Sequence, residues 1–195
     1  MKINEIVSDD IHKPVRSAGY AKWGHSHSGS RAITGQAARL MGIPDYEINP
    51  HSGKKQDVNL ATAFLTAIAN SPGSLEPLYH GFQNRRQIKW QIGQVLRLPL
   101  TATSGEIDSA SYGMRLDPKD NEGPPTCFEF PVGTPMAGYA KWKRADAEEF
   151  GHNWGEAIVA GEFQVQGIRT EHHYDWRKTP FTVVTLKFIK LGWPN

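Results

Sequence analysis

Three short segments of the chain place polar side chains where an apolar run begins or ends. The first is LYHGF at residues 78–82. His80 can donate or accept a hydrogen bond near neutral pH. Gly81 has no Cβ, so a backbone or a ligand can approach it closely. The same residues also fit a half-buried histidine on an edge strand, and the segment alone leaves both interpretations open.

The second segment, RLPLTATSGE at residues 97–106, is an alternating apolar strand that runs into three hydroxyl side chains. They belong to Thr101, Thr103 and Ser104. Hydroxyls at this point can support a site, or they can cap a helix near residues 108–112.

The third segment, HNWGEAIVAGEF at residues 152–163, opens an apolar strand with Glu156. A carboxylate at the mouth of a strand is often only solvated. Here it follows a long connection rich in aromatic and charged residues, and connections of that length are often functional.

The elements that must position these segments change character along the chain. Residues 1 to about 30 show no clear period. Apolar residues then recur at helical spacing in two stretches, namely Ile33, Ala37, Leu40 and Met41, and later Leu60, Phe64, Leu65 and Ile68. Gly42 predicts the end of the first helix, and NSPGS at residues 70–74 predicts the end of the second.

Beyond Pro77 the apolar period becomes alternating. The alternating sets are Leu96, Leu98 and Leu100; Phe128, Phe130 and Val132; Phe163 and Val165; and Val184, Leu186 and Phe188. Helices followed by strands, with little βαβ alternation, predict an α+β fold.

Composition limits the class of protein. A chain of 195 residues with 38% apolar content can bury one sizeable core, its net charge is +2, and it has one cysteine, Cys127. Its basic clusters are too short to indicate a nucleic-acid surface. No apolar run approaches the roughly 20 residues that span a bilayer, and the first ten residues are too polar for a secretory signal. We therefore expect a cytoplasmic protein without a membrane partner.

The order of these motifs resembles that of the ADP-ribosyltransferases of the toxin-like superfamily, including bacterial and phage members. The matching segments are LYHG (78–81), LPLTATS (98–104) and WGEAIV (154–159), with AGEFQVQGI and FTVVTLKFI as closing strands. The resemblance covers roughly residues 56–190. It implies a split two-sheet β core, with a catalytic domain at 56–195 after an N-terminal arm and helix at 1–55.

The resemblance also implies roles for individual residues. Glu156 occupies the position of the catalytic carboxylate, and His80 that of the residue that contacts NAD. The remaining NAD-contacting positions are Tyr79, Gly81, Thr101, Thr103, Ser104 and Tyr112. NAD is then the co-substrate, the acceptor is a macromolecule, most simply a protein, and a phage-encoded enzyme would act in the host cytoplasm.

In such enzymes the loop before the glutamate helps to recognise the acceptor. Its counterpart here is 139–155, in which Trp142 and Trp154 are candidate contacts because aromatic side chains supply large contact area. Packing of either tryptophan onto the core explains them equally well. Trp154 also stands two residues before Glu156, where arginine-modifying relatives carry another glutamate.

Two other functions fit parts of the sequence. Trp154 and the altered middle motif, in which Ala102 can occupy a serine position, are compatible with a catalytically inactive binding module on the same fold. His25 and His27, with His172, His173 and Asp175, could instead form the metal site of a hydrolase.

One repeat stands apart from these motifs. The hexapeptide AGYAKW occurs at residues 18–23 and again at 137–142, with flanks that do not match. A duplicated structural unit is therefore not expected, and coincidence or local mimicry stay open. One hypothesis is that the N-terminal copy occupies the surface that the second copy shapes.

Overall fold

A computed structural model describes residues 27–43, 55–84, 86–107, 110, 125–138, 156–172 and 180–194. Its helices are α1 (His27–Leu40) and α2 (Lys55–Ala69). Its strands are β1 (Leu78–Gln83), β2 (Val95–Ser104), β3 (Pro125–Phe130), β4 (Ala137–Gly138), β5 (Glu156–His172) and β6 (Pro180–Lys190). Helices precede strands, so the α+β prediction is confirmed. Neither helix has the length and apolar character needed to cross a membrane.

Both predicted helices are present, and each buries the apolar face that its sequence indicated. Gly42, two residues past the end of α1, has a left-handed φ of 62°, which is the conformation that ends a helix. The buried faces of α1 and α2 pack with side chains from β2, β4 and β5, and we call this contact the helical cluster. Its members include Ile33, Phe64, Leu100, Ala137 and Ile158.

The strands form one sheet that closes on itself. Its order is β2-β1-β3-β6-β5, pairing between β2 and β5 closes the ring, and β4 adds to an edge of β5. The predicted split into two sheets is therefore not confirmed in the part of the chain that the structure describes. The cause is the length of β5, whose residues 156–164 pair with β2 while residues 162–172 pair with β6.

Inside the ring lies the barrel core, which receives apolar side chains from β1, β2, β3, β5 and β6. Its members include Leu78, Phe128, Phe130, Val159, Phe163 and Leu186. Val132 was predicted to continue the alternation of β3. It lies instead past the end of that strand and is 58% exposed, because the chain turns at Val132–Gly133.

A bulge divides β2 into two halves that face opposite ways. Between Leu98 and Thr101 the pairing with β5 slips by one residue, and an extra residue in a strand exchanges its two faces. Leu98 therefore packs against the barrel core, whereas Leu100 packs in the helical cluster. The expected uniform alternation of β2 is wrong at this point.

The ring closes most weakly between β1 and β2, where Tyr79 opposite Ser104 is the single residue pair among the described residues. We call this pairing the β1–β2 seam. Around the ring, Tyr79 of β1 pairs with Glu129 of β3, and Glu129 pairs with Thr185 of β6. Thr185 in turn pairs with Gly167 of β5. On the other side of Tyr79, however, Ser104 pairs with Glu156 of the same strand β5. The strands are thus steeply staggered around the ring, and only the first residues of β5 lie at the seam.

Candidate active site

The three segments that carried polar side chains in the sequence meet at the β1–β2 seam. Ser104, the last residue of β2, has Tyr79 as its partner on β1 and Glu156 as its partner on β5. The three residues form one row across three neighbouring strands. His80 and Gly81 follow Tyr79 directly, so the fold brings the first, second and third segments together.

His80 is held by a hydrogen bond across the seam. Its Nδ1 lies 2.7 Å from the carbonyl oxygen of Ala102. Because β1 and β2 pair at one position only, the imidazole hydrogen-bonds the carbonyl of Ala102. In a longer ladder a backbone amide would have bonded that carbonyl. The ring also stacks on Phe82, with centroids 5.8 Å apart and planes 22° apart.

The hydrogen bond fixes the tautomer of His80. A carbonyl only accepts, so Nδ1 carries the proton and Nε2 becomes an acceptor. Burial lowers the pKa of His80 below its ordinary 6.5, and the hydrogen bond to Ala102 offsets only part of that shift. The ring is therefore neutral at neutral pH, and its Nε2 has no partner within the described ranges. Such a group accepts a hydrogen bond from a hydroxyl, whereas a guanidinium only donates.

The hydroxyls of β2 are already engaged in the fold. Thr103 is buried and donates to the carbonyl of Ala157 at 2.7 Å, which joins β2 to β5 one residue from Glu156. Thr101 donates to the carbonyl of Pro99 at 2.8 Å. Both side chains therefore brace the strand rather than offer a free donor.

Ser104 caps the turn that follows β2. Its Oγ accepts a hydrogen bond from the backbone amide of Glu106 at 3.2 Å. The amide of Ala110 in turn bonds the carbonyl of Glu106 at 3.3 Å, which is helical spacing. The predicted capping role therefore applies to Ser104, and its hydroxyl hydrogen can still donate.

Tyr79 is half-buried beside a charged cluster. Burial, and next the negative charge of Glu129, raise the pKa of Tyr79, so the phenol stays protonated at neutral pH. Glu129 accepts two hydrogen bonds from Arg169, at 2.6 and 2.9 Å, and one from Thr185 at 2.7 Å. These bonds from Arg169 lower the pKa of Glu129. The cluster thus holds the ionised carboxylate of Glu129 on the strand next to Tyr79.

Gly81 lies opposite Cys127 in the pairing of β1 with β3. Cys127 is fully buried, and burial raises the pKa of its thiol to about 12. Since the thiolate is the reactive form, this cysteine is no nucleophile. Acid–base and electrostatic chemistry at the seam must come from the oxygen and nitrogen groups.

An aromatic group in the barrel core escaped the sequence reasoning. The ring of Trp90 contacts the rings of Phe82 and Phe128 edge-on, with centroids 6.3 and 5.3 Å away. The ring of Phe82 also stacks on that of His80. The side chain of Asn84 holds the segment that precedes Trp90. It accepts a hydrogen bond from the amide of Ile88 and donates one to the carbonyl of Ile88, both at 2.9 Å. These ring contacts join residues from different segments of the chain, so the local sequence pattern did not indicate them.

Several predicted residues lie outside the described ranges. These are Tyr112, Trp142, Trp154, His25, His173 and Asp175. Of the histidines proposed for a metal site, His27 begins α1 and His172 ends β5. The described residues contain no group of three potential metal ligands.

No protein-family model and no curated protein matches this sequence. Solved structures do match, and those of several ADP-ribosyltransferase toxins are among them. Vis toxin from Vibrio splendidus aligns with a TM-score of 0.54 and 13% identity, over 97% of this chain and 77% of that one. C3larvin from Paenibacillus larvae aligns with a TM-score of 0.52 and 11% identity, over 96% of this chain and 94% of that one.

The enzymatic component C2-I of the Clostridium botulinum C2 toxin aligns with a TM-score of 0.55 and 12% identity. The alignment covers 97% of this chain and 45% of C2-I, so this chain spans less than half of that protein. The chain has the ADP-ribosyltransferase fold, and the resemblance that the motifs predicted is confirmed at that level.

Proposed function

We propose that the protein is an NAD-dependent mono-ADP-ribosyltransferase that transfers ADP-ribose to a macromolecular acceptor, most simply a protein. The observation that carries this proposal is the row formed by Glu156, Ser104 and Tyr79, with His80 as the next residue of β1 after Tyr79. The shared fold with ADP-ribosyltransferase toxins supports the same conclusion.

The residue types at the seam suit cleavage of the nicotinamide glycosidic bond. The bond between ribose C1′ and the nicotinamide nitrogen breaks, its electron pair leaves with nicotinamide, and the sugar becomes oxocarbenium-like. A fixed carboxylate stabilises that positive charge best where water is scarce, and we assign this role to Glu156. The acceptor nucleophile then bonds to C1′ and releases its proton.

His80 serves as a neutral acceptor in this proposal. A ribose hydroxyl is a suitable donor to its Nε2, and the bond from Nδ1 to Ala102 holds the ring in place for it. A neutral imidazole does not neutralise the diphosphate as an arginine would. His80 therefore acts as the histidine of a histidine-containing site and not as a substitute for arginine.

The acceptor is expected to differ from a guanidine. One structure of Vis contains agmatine, a guanidino compound. In this chain Trp154 stands two residues before Glu156, where the arginine-modifying relatives carry glutamate. We propose that the protein modifies another type of side chain.

The test uses purified full-length protein with NAD labelled in its adenosine half. Adding a bacterial lysate should yield free nicotinamide and a labelled protein that mass spectrometry can identify, whereas agmatine should gain no label. If no nicotinamide is released with lysate, with agmatine or with water alone, the chain is not a transferase and the inactive binding module is the better description.

A further inference from the structure

The orientation of the His80 ring depends on more than its hydrogen bond. The bond from Nδ1 to the carbonyl of Ala102 fixes one atom of the imidazole. Because a carbonyl oxygen accepts hydrogen bonds over a broad range of directions, that bond alone leaves the ring free to tilt. The ring of Phe82 limits the tilt, since it is inclined to the imidazole by only 22°, with centroids 5.8 Å apart. The direction in which Nε2 points is therefore set jointly by Ala102 and Phe82.

Two further rings hold Phe82 in place. The ring centroid of Phe128 lies 4.7 Å from that of Phe82, and the ring centroid of Trp90 lies 6.3 Å from it. Trp90 and Phe128 also contact each other, with centroids 5.3 Å apart. Each of these three rings thus packs against both of the others, and side chains packed in this way do not shift independently. The position of Phe82, and with it the tilt of His80, therefore depends on Trp90.

Trp90 lies in the connection between β1 and β2, which is anchored on both sides of it. On one side, the side chain of Asn84 bonds the backbone amide and carbonyl of Ile88. On the other side, the amide of Gly93 donates to the carbonyl of Val165 at 2.8 Å. A side chain on an anchored backbone can hold its neighbour in a defined orientation. The ring of Trp90 is therefore a fixed support for Phe82.

The indole N–H of Trp90 does not contribute to this support. Its Nε1 is buried and has no hydrogen-bond partner among the described residues. Trp90 therefore holds Phe82 by the contact of its ring, and a phenylalanine at this position also supplies a ring. Trp90→Phe loses only the unbonded nitrogen and part of the ring area, which makes it the conservative variant.

We propose that Trp90 is a positioning residue for His80. It holds the ring of Phe82, and Phe82 holds the imidazole so that Nε2 stays directed at a ribose hydroxyl of NAD. Trp90 acts only through Phe82 in this arrangement. The contact of Nε2 with NAD rests on the proposed function, whereas the hold on the His80 ring does not.

Trp90→Leu tests this proposal, because it removes the ring and keeps an apolar side chain. Phe188→Leu is the matched control, since Phe188 is also a partly buried ring that packs against the barrel core. His80 pairs with Phe128 across β1 and β3, and Phe128 pairs with Val184 of β6. Phe188 lies four residues beyond Val184, which is roughly 13 Å along the strand and away from His80.

NMR of protein with ¹⁵N-labelled histidine observes the His80 ring directly, and His80→Asn identifies its signal. In wild type, Phe188→Leu and Trp90→Phe we expect the proton on Nδ1 alone. In Trp90→Leu the ring tilts away from Ala102, and the tautomer with its proton on Nε2 should appear. Phe82→Leu should have the same effect, which covers the case in which Trp90→Leu does not fold. An unchanged His80 signal in these two variants, or an equal change in Phe188→Leu, would overturn the proposal.

Nicotinamide release provides the second measurement. The KM for NAD should rise about fivefold in Trp90→Leu with kcat unchanged, which is the effect of losing one ordinary hydrogen bond. Trp90→Phe and Phe188→Leu should keep the wild-type KM. A changed NMR signal with a wild-type KM would overturn the direction of Nε2 towards NAD. If wild type releases no nicotinamide while Trp90→Leu still changes the NMR signal, the proposed function fails and the hold on the His80 ring stands.

Discussion

Ser104 lies directly opposite Glu156 where the end of β2 meets the beginning of β5. Tyr79 flanks Ser104 on its other side. Segments separated by many residues in the sequence thus contribute to one row.

Glu156→Gln removes the negative charge while keeping the size of the side chain. We expect nicotinamide release to fall by at least about 100-fold, since the lost charge acts mainly in the transition state. The affinity for NAD, measured by calorimetry, should change little. Glu162→Gln is the matched control, because Glu162 lies on the same strand but pairs with Arg97 at 2.6 Å on the surface. Wild-type turnover in Glu156→Gln would disprove the catalytic role.

His80 should make the folded state sensitive to mild acid. Its folded pKa lies below the ordinary 6.5, so between these two values the unfolded chain binds the extra proton. The free energy of unfolding should therefore fall as the pH drops below 6.5 towards the folded pKa, with no contribution from His80 well above 6.5. Urea denaturation of wild type and His80→Asn, which keeps a donor near Ala102, should show a shallower decline in the variant.

The control for that experiment is Thr103→Val, which alters stability without removing a titrating group. It should keep the wild-type slope of stability against pH. Identical slopes for wild type and His80→Asn would mean that burial does not shift the pKa of His80.

Thr103→Val should also weaken the junction of β2 and β5. The variant keeps the shape of the side chain but loses the bond to the carbonyl of Ala157, at a cost of about 1 kcal/mol in the free energy of unfolding. Thr101→Val loses only a local bond to Pro99 and should cost less. Urea titration of both variants distinguishes the two, and an equal loss would show that the contact with β5 adds nothing.

Gly161→Ala should destabilise β5 where it passes the backbone of Lys190. Gly161 has a φ of 137°, and a Cβ there would lie 2.7 Å from the carbonyl oxygen of Lys190. We expect a loss of more than about 1 kcal/mol. Gly167→Ala is the matched control on the same strand, because its nearest neighbour, the Thr185 hydroxyl, lies at an ordinary 3.6 Å. Thermal unfolding compares them, and equal midpoints would contradict the role of Gly161.

The sequence predicted the helices and strands better than it predicted the closure of the sheet into a ring. Helical spacing located α1 and α2 because apolar residues recur along each of them at the helical period. The bulge in β2 was missed, although Pro99 between two leucines was a signal, since proline inside a strand often marks a bulge. Closure of the ring was missed because it depends on which edges meet, and alternation within one strand carries no such information.

The candidate site was predicted in part for similar reasons. Motif order placed His80, Ser104 and Glu156 near one another, and residue type implied their chemistry. The tautomer of His80 depends on the carbonyl of Ala102, and the charge behind Tyr79 depends on Arg169, 40 residues from Glu129. Such contacts follow from register across strands, which a local pattern does not encode.

The β1–β2 seam has a consequence for the motions of the protein. A ring of strands opens first where the fewest hydrogen bonds must break, and here that place is one residue pair supplemented by a side chain. The lowest-energy opening of the barrel is thus expected to part Tyr79 from Ser104. Substrate entry to the row and opening of the barrel would then require the same separation of β1 from β2. A substitution that strengthens the seam would therefore slow substrate entry even as it stabilises the protein.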